Sequence, residues 1–157
     1  MIHNRKVCAL VPIKDHSERV SGKNFRDFCG KPLYHHILLA LDRTYAIDQI
    51  AIDTDSPRVM LEAPKLSRKV LVIERPAELR GDLISTNRIF AHDLGLLDAD
   101  LFLQTHATNP LLKSETIAKA LRLFLEHEAD NYDSLFSVNA HHSRFYDGNG
   151  QAINHDP

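Results

Sequence analysis

The stretch that decides the fold is Val7-Cys8-Ala9-Leu10-Val11-Pro12-Ile13, followed by the loop Lys14-Asp15-His16-Ser17-Glu18-Arg19-Val20-Ser21-Gly22-Lys23-Asn24. The first seven residues are almost all apolar, as in a strand that is buried in a parallel sheet. The loop carries three cations, and Gly30-Lys31-Pro32-Leu33 and an amphipathic helix follow it. A loop between a strand and a helix lies at the carboxyl edge of an open α/β sheet, where ligands bind. The stretch therefore predicts a site for phosphate groups.

The rest of the chain alternates between short apolar runs and segments with helical spacing. The predicted strands cover 47–54, 70–73, 101–104 and 135–138. The predicted helices cover 33–44, a segment from Ser56-Pro57 to about Pro64, 86–97, and a segment capped by Ser114 with Ile117, Leu121, Phe124 and Leu125 on one face. This alternation predicts the α/β class, with a Rossmann-like, doubly wound and mostly parallel sheet.

Length and composition set the remaining bounds. A chain of 157 residues with 43% hydrophobic and 25% charged residues is typical of one globular domain and not of a disordered chain. The net charge of −2 gives no overall field that would favour nucleic acid or an anionic membrane. No apolar run reaches the length of a membrane span or resembles a signal peptide, so we expect a cytoplasmic protein without a membrane partner.

The cysteines and the C-terminal tail complete the outline. Cys8 and Cys29 have no Cys-x-x-Cys spacing, and we expect two reduced thiols. From His141 onward the sequence is polar, and Asp147-Gly148-Asn149-Gly150 predicts a hairpin turn. No closing helix or strand follows the turn. We therefore expect residues 1–157 to be a single domain that is incomplete at its C-terminus.

The residues of the first loop are suited to a nucleotide. Lys14, Arg19 and Lys23 can neutralise a triphosphate, and Ser17 adds a neutral donor. Asn24 offers a donor and an acceptor to the edge of a base. Neither a Walker motif nor a dinucleotide fingerprint can be laid on the loop. From the residues alone, a solvated charged loop remains the alternative.

Four motifs in order resemble the acylneuraminate cytidylyltransferase family, which contains the CMP-sialic acid synthetases. The first is Val11-Pro12-Ile13-Lys14-x-x-Ser17-x-Arg19-Val20-x-Gly22-Lys23-Asn24 with Gly30-Lys31-Pro32-Leu33. The others are Asp53-Thr54-Asp55, Arg75-Pro76-Ala77-Glu78-Leu79-x-x-Asp82, and the segment from Gln104 to Pro110-Leu111, with Ser134-Leu135-Phe136-Ser137-Val138 as a further match. The resemblance covers nearly the whole chain and implies the architecture of the nucleotide-diphospho-sugar transferases.

The resemblance implies a nucleotidyltransferase that moves CMP from CTP to the anomeric hydroxyl of a sialic-acid-like sugar acid and releases pyrophosphate. It implies that Lys14 and Lys23 act on the triphosphate. Arg19 has no strict counterpart in the best-known members, and its placement in the loop predicts that it joins them as a third catalytic cation. The implied nucleotide-binding residues are Pro12, Ile13, Ser17, Asn24, Arg75 and Thr86, and Gln104 falls where the sugar acid approaches. Mg²⁺ is implied as the cofactor and a homodimer as the full-length state, which would leave apolar surface exposed in this chain. No metal ligand is assigned, because the family's carboxylates are expected beyond Pro157.

The sequence departs from the family at two places. Family members usually carry Ala-Arg where this chain has Ile13-Lys14, and a Gly-Ser-Lys-Gly stretch where it has His16-Ser17-Glu18-Arg19. Lysine keeps the charge of arginine but loses its bidentate fork, which Arg19 would compensate. The Gln104 motif is two residues longer than usual and ends in Leu112-Lys113. These differences predict a divergent branch of the family.

Two other functions remain open on sequence alone. A glycosyltransferase of related architecture would use Asp53-Thr54-Asp55 as a metal-bound nucleotide-sugar motif, although we favour a strand-end cluster that caps the helix at Ser56. A non-catalytic nucleotide-binding remnant of the fold would keep the loop without turnover. The histidine pairs His35-His36 and His141-His142 lack a partner at zinc spacing, which favours a structural or surface role.

Overall fold

The computed structural model describes residues 4–17 and 20–156. Its strands are β1 (Val7–Leu10), β2 (Asp27–Phe28), β3 (Lys31–Pro32), β4 (Gln49–Thr54), β5 (Val70–Glu74) and β6 (Leu101–Gln104). Its α-helices are α1 (Leu33–Arg43), α2 (Pro57–Glu62), α3 (Thr86–Leu96) and α4 (Ser114–His127). Single 3-10 turns cover Lys23–Phe25, Ala63–Lys65, Ala77–Leu79 and Glu128–Asp130.

Four of the strands form a parallel sheet in the order β5-β4-β1-β6. In the register of this sheet, Ala9 pairs with Ile50 on one side and with Leu103 on the other. The chain moves outward from β1 through β4 to β5 and then returns to place β6 on the opposite side of β1. The order of the strands therefore reverses between β1 and β6. In an open α/β sheet, a ligand crevice forms at such a reversal, outside the carboxyl ends of the strands.

Helices cover both faces of the sheet. The larger apolar cluster joins side chains of β1 and β4 to Leu38 of α1, Val59 of α2 and Leu121 of α4. The smaller cluster contains Cys8, Leu10, Ala51 and Ile73, with Phe90 of α3 packed against it. Because side chains alternate along a strand, Ile50 and Ile52 belong to the larger cluster and Ala51 to the smaller one. The fold is the predicted Rossmann-like, doubly wound α/β architecture.

The N-terminal part of α1 is held by a tight hairpin. Strands β2 and β3 pair antiparallel, with Asp27 opposite Pro32. The two residues between the strands, Cys29 and Gly30, have φ values of 51° and 81°. Both angles lie in the left-handed region that two-residue hairpin turns of type I′ require, and glycine supplies one of them without strain. Cys29 is exposed and Cys8 is buried, and both thiols are free, as the sequence predicts.

Most of the predicted elements are confirmed to within two residues. Ser56 is the N-cap of α2 and Pro57 its first residue, and the α-helix ends before Pro64. Ser114 begins α4 as its first helical residue, so the predicted cap is displaced by one position to Lys113. The predicted turn at 147–150 is confirmed by hydrogen bonds from Asp147 N to Gln151 O (2.9 Å) and from Gly150 N to Asp147 O (3.0 Å).

The predicted strand at 135–138 is wrong. All residues from 131 to 140 are exposed, and the segment has no regular structure. Its apolar side chains lie in solvent, including Phe136 at 82% and Val138 at 78% exposure. The pattern of apolar residues gave only a preference for extended backbone, whereas a strand also needs a neighbour with which to pair. Within the described ranges, no helix has the length and apolar content needed to cross a bilayer.

We predict that Leu38→Ala destabilises the protein by about 2 to 5 kcal/mol, because the leucine is fully buried and its removal leaves a cavity between α1 and the sheet. The matched control is Leu61→Ala in α2, where the leucine is 70% exposed and the expected change is within about 0.5 kcal/mol. Urea unfolding of both variants measures the two changes. Equal effects at the two positions would contradict the assigned core.

Candidate functional site

The loop after β1 lies at the carboxyl edge of the sheet, next to the reversal of strand order. Gln104, the last residue of β6, pairs with Leu10, the last residue of β1. The backbone beyond β1 continues along β4, because Val11 N donates to Ala51 O (2.9 Å) and Ile13 N donates to Asp53 O (2.8 Å). The start of the loop is therefore held by the sheet.

Two carboxylates attach the loop to the start of α2. Asp55 Oδ1 accepts a hydrogen bond from Asp15 N (2.8 Å), and Ser56 Oγ donates to Asp15 Oδ1 (2.6 Å). Ser56 N in turn donates to Thr54 Oγ1 (3.1 Å). Asp55 therefore fixes the loop rather than capping the helix directly. The predicted strand-end cluster is present, but its two aspartates bond to different partners.

Lys14 contacts a neighbouring loop, whereas Asn24 contacts its own loop. The Nζ atom of Lys14 forms an ion pair with the Asp82 carboxylate from the loop after β5. The Nδ2 atom of Asn24 donates to the Lys14 carbonyl (2.9 Å), and Asn24 is buried. Asn24 thus joins the two ends of its own loop through its Nδ2 atom. Its Oδ1 atom is the part of the side-chain amide that can accept from a ligand. The contact with Asp82 brings the loops after β1 and β5 together across the end of β4.

The other predicted loop residues are placed as follows. Lys23 begins the 3-10 turn Lys23–Phe25, which follows Gly22 in a left-handed conformation at φ 60°. Pro12 and Ser17 are half-buried. Ile13 is fully buried in the larger apolar cluster, and its backbone pairs with β4 at Thr54. Arg19 lies outside the described residues.

Arg75 is buried beneath the site. Only 3% of the residue is exposed, its Nε donates to Asp53 Oδ1, and its Nη2 donates to the Asp53 carbonyl (3.2 Å). The same carbonyl accepts from Ile13 N. The guanidinium therefore supports the strand end that holds the loop. A direct contact with a nucleotide, as the resemblance implies for Arg75, stays a prediction.

Thr86 and Gln104 are exposed at the same edge of the sheet. Thr86 is the first residue of α3 and follows Asp82 by four positions. Gln104 ends β6, beside the strand that leads into the cationic loop. The fold therefore places the predicted nucleotide residues of the β1 loop and the predicted sugar residue on adjacent strands, with Thr86 at the end of a helix that follows β5.

Sequence reasoning missed a second group of ionisable residues, which lies between β4 and α3. Asp93 of α3 is 2% exposed, and the Nδ1 atom of its neighbour His92 lies 3.2 Å from Asp93 Oδ1, within hydrogen-bond distance. A ligand atom from each of Asp53, His92 and Asp93 lies within 4.8 Å of the others. The burial of Asp93 could have been predicted from its position four residues after Ile89. Residues four apart share one face of a helix, and Ile89 is buried against the sheet. These three side chains have the donor atoms of a metal site.

Burial and charge raise the pKa of Asp93 to about 6. The largest cause is the removal of the carboxylate from water, and the negative charge of Asp53 adds to it. The other raised pKa in this part of the fold is that of Cys8, where burial is again the main cause. Asp93 is thus the carboxyl group whose charge costs the folded state most among the described residues with a resolved shift.

Comparison with known proteins places this geometry in a family. The family profile described as "Cytidylyltransferase" matches residues 8–157. The chain belongs to the cytidylyltransferase family. It is 25% identical over 117 residues to 3-deoxy-manno-octulosonate cytidylyltransferase of Syntrophus aciditrophicus, covering 74% of this chain and 46% of that protein. It is 30% identical over 122 residues to CMP-N,N'-diacetyllegionaminic acid synthase of Legionella pneumophila, covering 75% of this chain and 53% of that protein.

A solved cytidylyltransferase structure has the same fold. It is that of CMP:2-keto-3-deoxy-manno-octonic acid synthetase complexed with CTP, which superposes with a TM-score of 0.66 at 20% sequence identity. The match covers 79% of this chain and 49% of that chain. The chain therefore spans about half the length of the relatives that it matches.

We predict that the contribution of Asp93 to the stability of this protein, in buffer containing a chelator, falls as the pH rises from about 4 to above 6. The pKa of Asp93 is 3.8 in the unfolded chain and about 6 in the folded state, so the folded state binds the Asp93 proton more tightly. The stabilisation that this proton gives the folded state is therefore complete below about pH 4 and lost above about pH 6. Asp93→Asn should remove this slope and raise stability at pH 8 by about 3 kcal/mol.

Urea unfolding at a series of pH values measures the slope. Asp98→Asn is the matched control, because the Asp98 side chain lies fully in solvent after α3 and should leave the pH profile unchanged. Parallel profiles for the unmodified protein and Asp93→Asn would contradict the prediction.

Proposed function

We propose that this protein transfers CMP from CTP to the anomeric hydroxyl of a sialic-acid-like sugar acid, with release of pyrophosphate. The observation that carries the proposal is the cationic loop after β1, at the reversal of strand order, in a chain matched over residues 8–157 by the cytidylyltransferase profile. The names of the relatives support a sugar acid as acceptor, since they include a legionaminic acid synthase and an octulosonate cytidylyltransferase.

In the proposed reaction, the anomeric oxygen attacks the α-phosphorus of CTP and forms the new phosphoester bond. The bond from the α-phosphorus to the bridging oxygen breaks, pyrophosphate leaves with the electron pair, and the hydroxyl proton passes to water or a base. Such transfers depend on positioning and on neutralisation of charge at the phosphate oxygens. Lys14 and Lys23 would supply that charge, and Arg19 would add a third cation.

Asp82 would act as the counterion that Lys14 exchanges for the triphosphate. The two side chains are each about 40% exposed, so the pair can open at modest cost in free energy. Asn24 would hold the loop through the Lys14 carbonyl and offer its Oδ1 atom to cytosine. Gln104 would face the sugar acid from the end of β6.

Mg²⁺ is proposed as the cofactor, and when bound it would supply further charge neutralisation on the phosphates. Three carboxylates near the loop are hard oxygen ligands of the kind that Mg²⁺ prefers. In the structure they bond within the chain: Asp82 with Lys14, Asp55 with Asp15 N, and Asp15 with Ser56. We therefore assign no Mg²⁺ ligand among the described residues.

A glycosyltransferase is the less supported alternative. It would need Asp53 and Asp55 to present a metal to a nucleotide sugar. Asp53 is 1% exposed and its Oδ1 atom accepts from Arg75, so it does not face a ligand at the edge of the sheet. A non-catalytic nucleotide-binding protein is the second candidate, and pyrophosphate release distinguishes it from the enzyme.

For the whole protein we propose one nucleotidyltransferase domain that continues beyond residue 157 and a homodimer. The exposed apolar side chains at 135, 136 and 138 support both proposals, because such side chains are usually covered by further chain or by a partner. The cytoplasmic location that the composition suggests stays a prediction.

Calorimetric titration with CTP, UTP, ATP and GTP in Mg²⁺ is the direct test. Selective binding of CTP is expected, followed by pyrophosphate release when a nine-carbon or eight-carbon keto sugar acid is added. Release with only the eight-carbon acid would replace the sialic-acid-like acceptor. CTP binding without release for any acceptor would favour the non-catalytic alternative, and no nucleotide binding would contradict the proposal for this chain.

We predict that Lys23→Ala weakens CTP binding by ~1 to 3 kcal/mol, or about 5- to 150-fold in Kd, because a charged donor to the triphosphate is lost. Lys119→Ala is the matched control, since Lys119 is exposed on α4 away from the carboxyl edge and should leave Kd unchanged. The same calorimetric titration measures both variants. Equal affinity in Lys23→Ala and the unmodified protein would remove Lys23 from the site.

A further inference from the structure

The buried cluster between β4 and α3 has a polar atom that its surroundings leave unsatisfied. Asp53 Oδ2 is buried and has no hydrogen-bond partner among the residues that the structure describes. Its sister atom Oδ1 accepts from Arg75, and the Asp93 carboxylate on the facing helix brings a second acceptor into the cluster rather than a donor. An unsatisfied carboxylate oxygen inside a protein costs free energy, so an atom in this position indicates a missing partner.

We propose that Asp53, His92 and Asp93 bind a divalent transition-metal ion such as Zn²⁺. The three side chains come from two elements, β4 and α3, and offer two carboxylate oxygens and one imidazole nitrogen within 4.8 Å of one another. This mixed nitrogen and oxygen set is one that Zn²⁺ accepts, whereas Mg²⁺ prefers oxygen alone. The site is therefore distinct in chemistry from the Mg²⁺ of the proposed transfer reaction.

The charge of the cluster also favours a cation. Two ionised carboxylates face one guanidinium, so the buried group carries one uncompensated negative charge when His92 is neutral. Arg75 occupies one oxygen of Asp53 and leaves the other directed to the ion. A bound cation would compensate the charge of Asp93 and give Asp53 Oδ2 its missing partner. Asp53 and Asp93 are buried, and the His92 side chain, 30% exposed, supplies the route from solvent.

The ion would have a structural role in the nucleotide site. It would join α3 to the end of β4, where the Asp53 carbonyl holds Ile13 N at the start of the cationic loop. It would also fix the position of α3, whose first residue is Thr86. The ion is thus expected to order both sides of the proposed CTP site without contacting the nucleotide. The inference does not depend on the proposed function, because it rests on the cluster alone.

Chelator-treated protein is titrated with Zn²⁺ at pH 7.5 by calorimetry, with Mg²⁺ as the comparison ion, and Tm is measured with each. We expect one equivalent of Zn²⁺ to bind and raise Tm, and Mg²⁺ to have at least 10-fold lower affinity. Asp93→Asn and His92→Gln should each weaken Zn²⁺ binding at least 10-fold and abolish the rise in Tm. Circular dichroism establishes that the variants are folded, and if Asp93→Asn is not, the more exposed His92 carries the test.

Two matched controls separate this site from the exposed histidines of the chain. Asp98→Asn and His127→Ala alter exposed side chains and should leave the Zn²⁺ affinity unchanged. Zn²⁺ affinity that survives Asp93→Asn and His92→Gln would mean an adventitious ion only and would overturn the proposal. Absence of Zn²⁺ binding to the unmodified protein would also overturn the proposal.

Discussion

The buried ion pair between Arg75 and Asp53 is the interaction on which the candidate site depends. It joins the carboxyl ends of β5 and β4 at the point where the loop after β1 leaves the sheet. Asp53 contributes on both sides, because its carboxylate accepts from Arg75 while its carbonyl accepts from Ile13 N. Removing either partner would leave a buried charge without compensation, which is among the more costly defects that a fold can have. The buried ion pair thus supports the backbone position from which the cationic loop starts.

At the carboxyl edge of the sheet, the loops of the site contact one another through charged and polar groups. Lys14 contacts Asp82, Asp15 accepts from Ser56, and Asn24 donates to the Lys14 carbonyl. The ion pair between Lys14 and Asp82 is partly exposed and weak, so a triphosphate could displace it at little cost. A rigid buried support beneath an exchangeable exposed layer is the arrangement that a nucleotide-binding loop requires, since the backbone keeps its position while the side chains change partners.

The four α-helices and the four strands of the parallel sheet could be predicted because their signals are local. Apolar runs give β1, β4, β5 and β6, and the Ser56-Pro57 dipeptide gives the start of α2. The segment 135–138 has an equally apolar pattern but remains unpaired, because pairing depends on a neighbour that no local pattern supplies. The site divides in the same way. Lys14, Lys23 and Gln104 could be placed from the order of strands, whereas the contacts of Asp53 with Arg75 and α3 join residues about 20 and 40 positions apart.

The sequence by itself determined the α/β class, the cationic loop at the end of the first strand and the resemblance to the cytidylyltransferases, because each depends on periodicity or on a contiguous motif. Only the tertiary structure shows that Asp53 faces Arg75 and α3 rather than the carboxyl edge of the sheet, that Asn24 is partly engaged within its own loop, and that Asp93 is buried. Those outcomes depend on which face of β4 a side chain occupies and on which helix covers that face. Both are set by the return of the chain from β5 to β6 across the sheet.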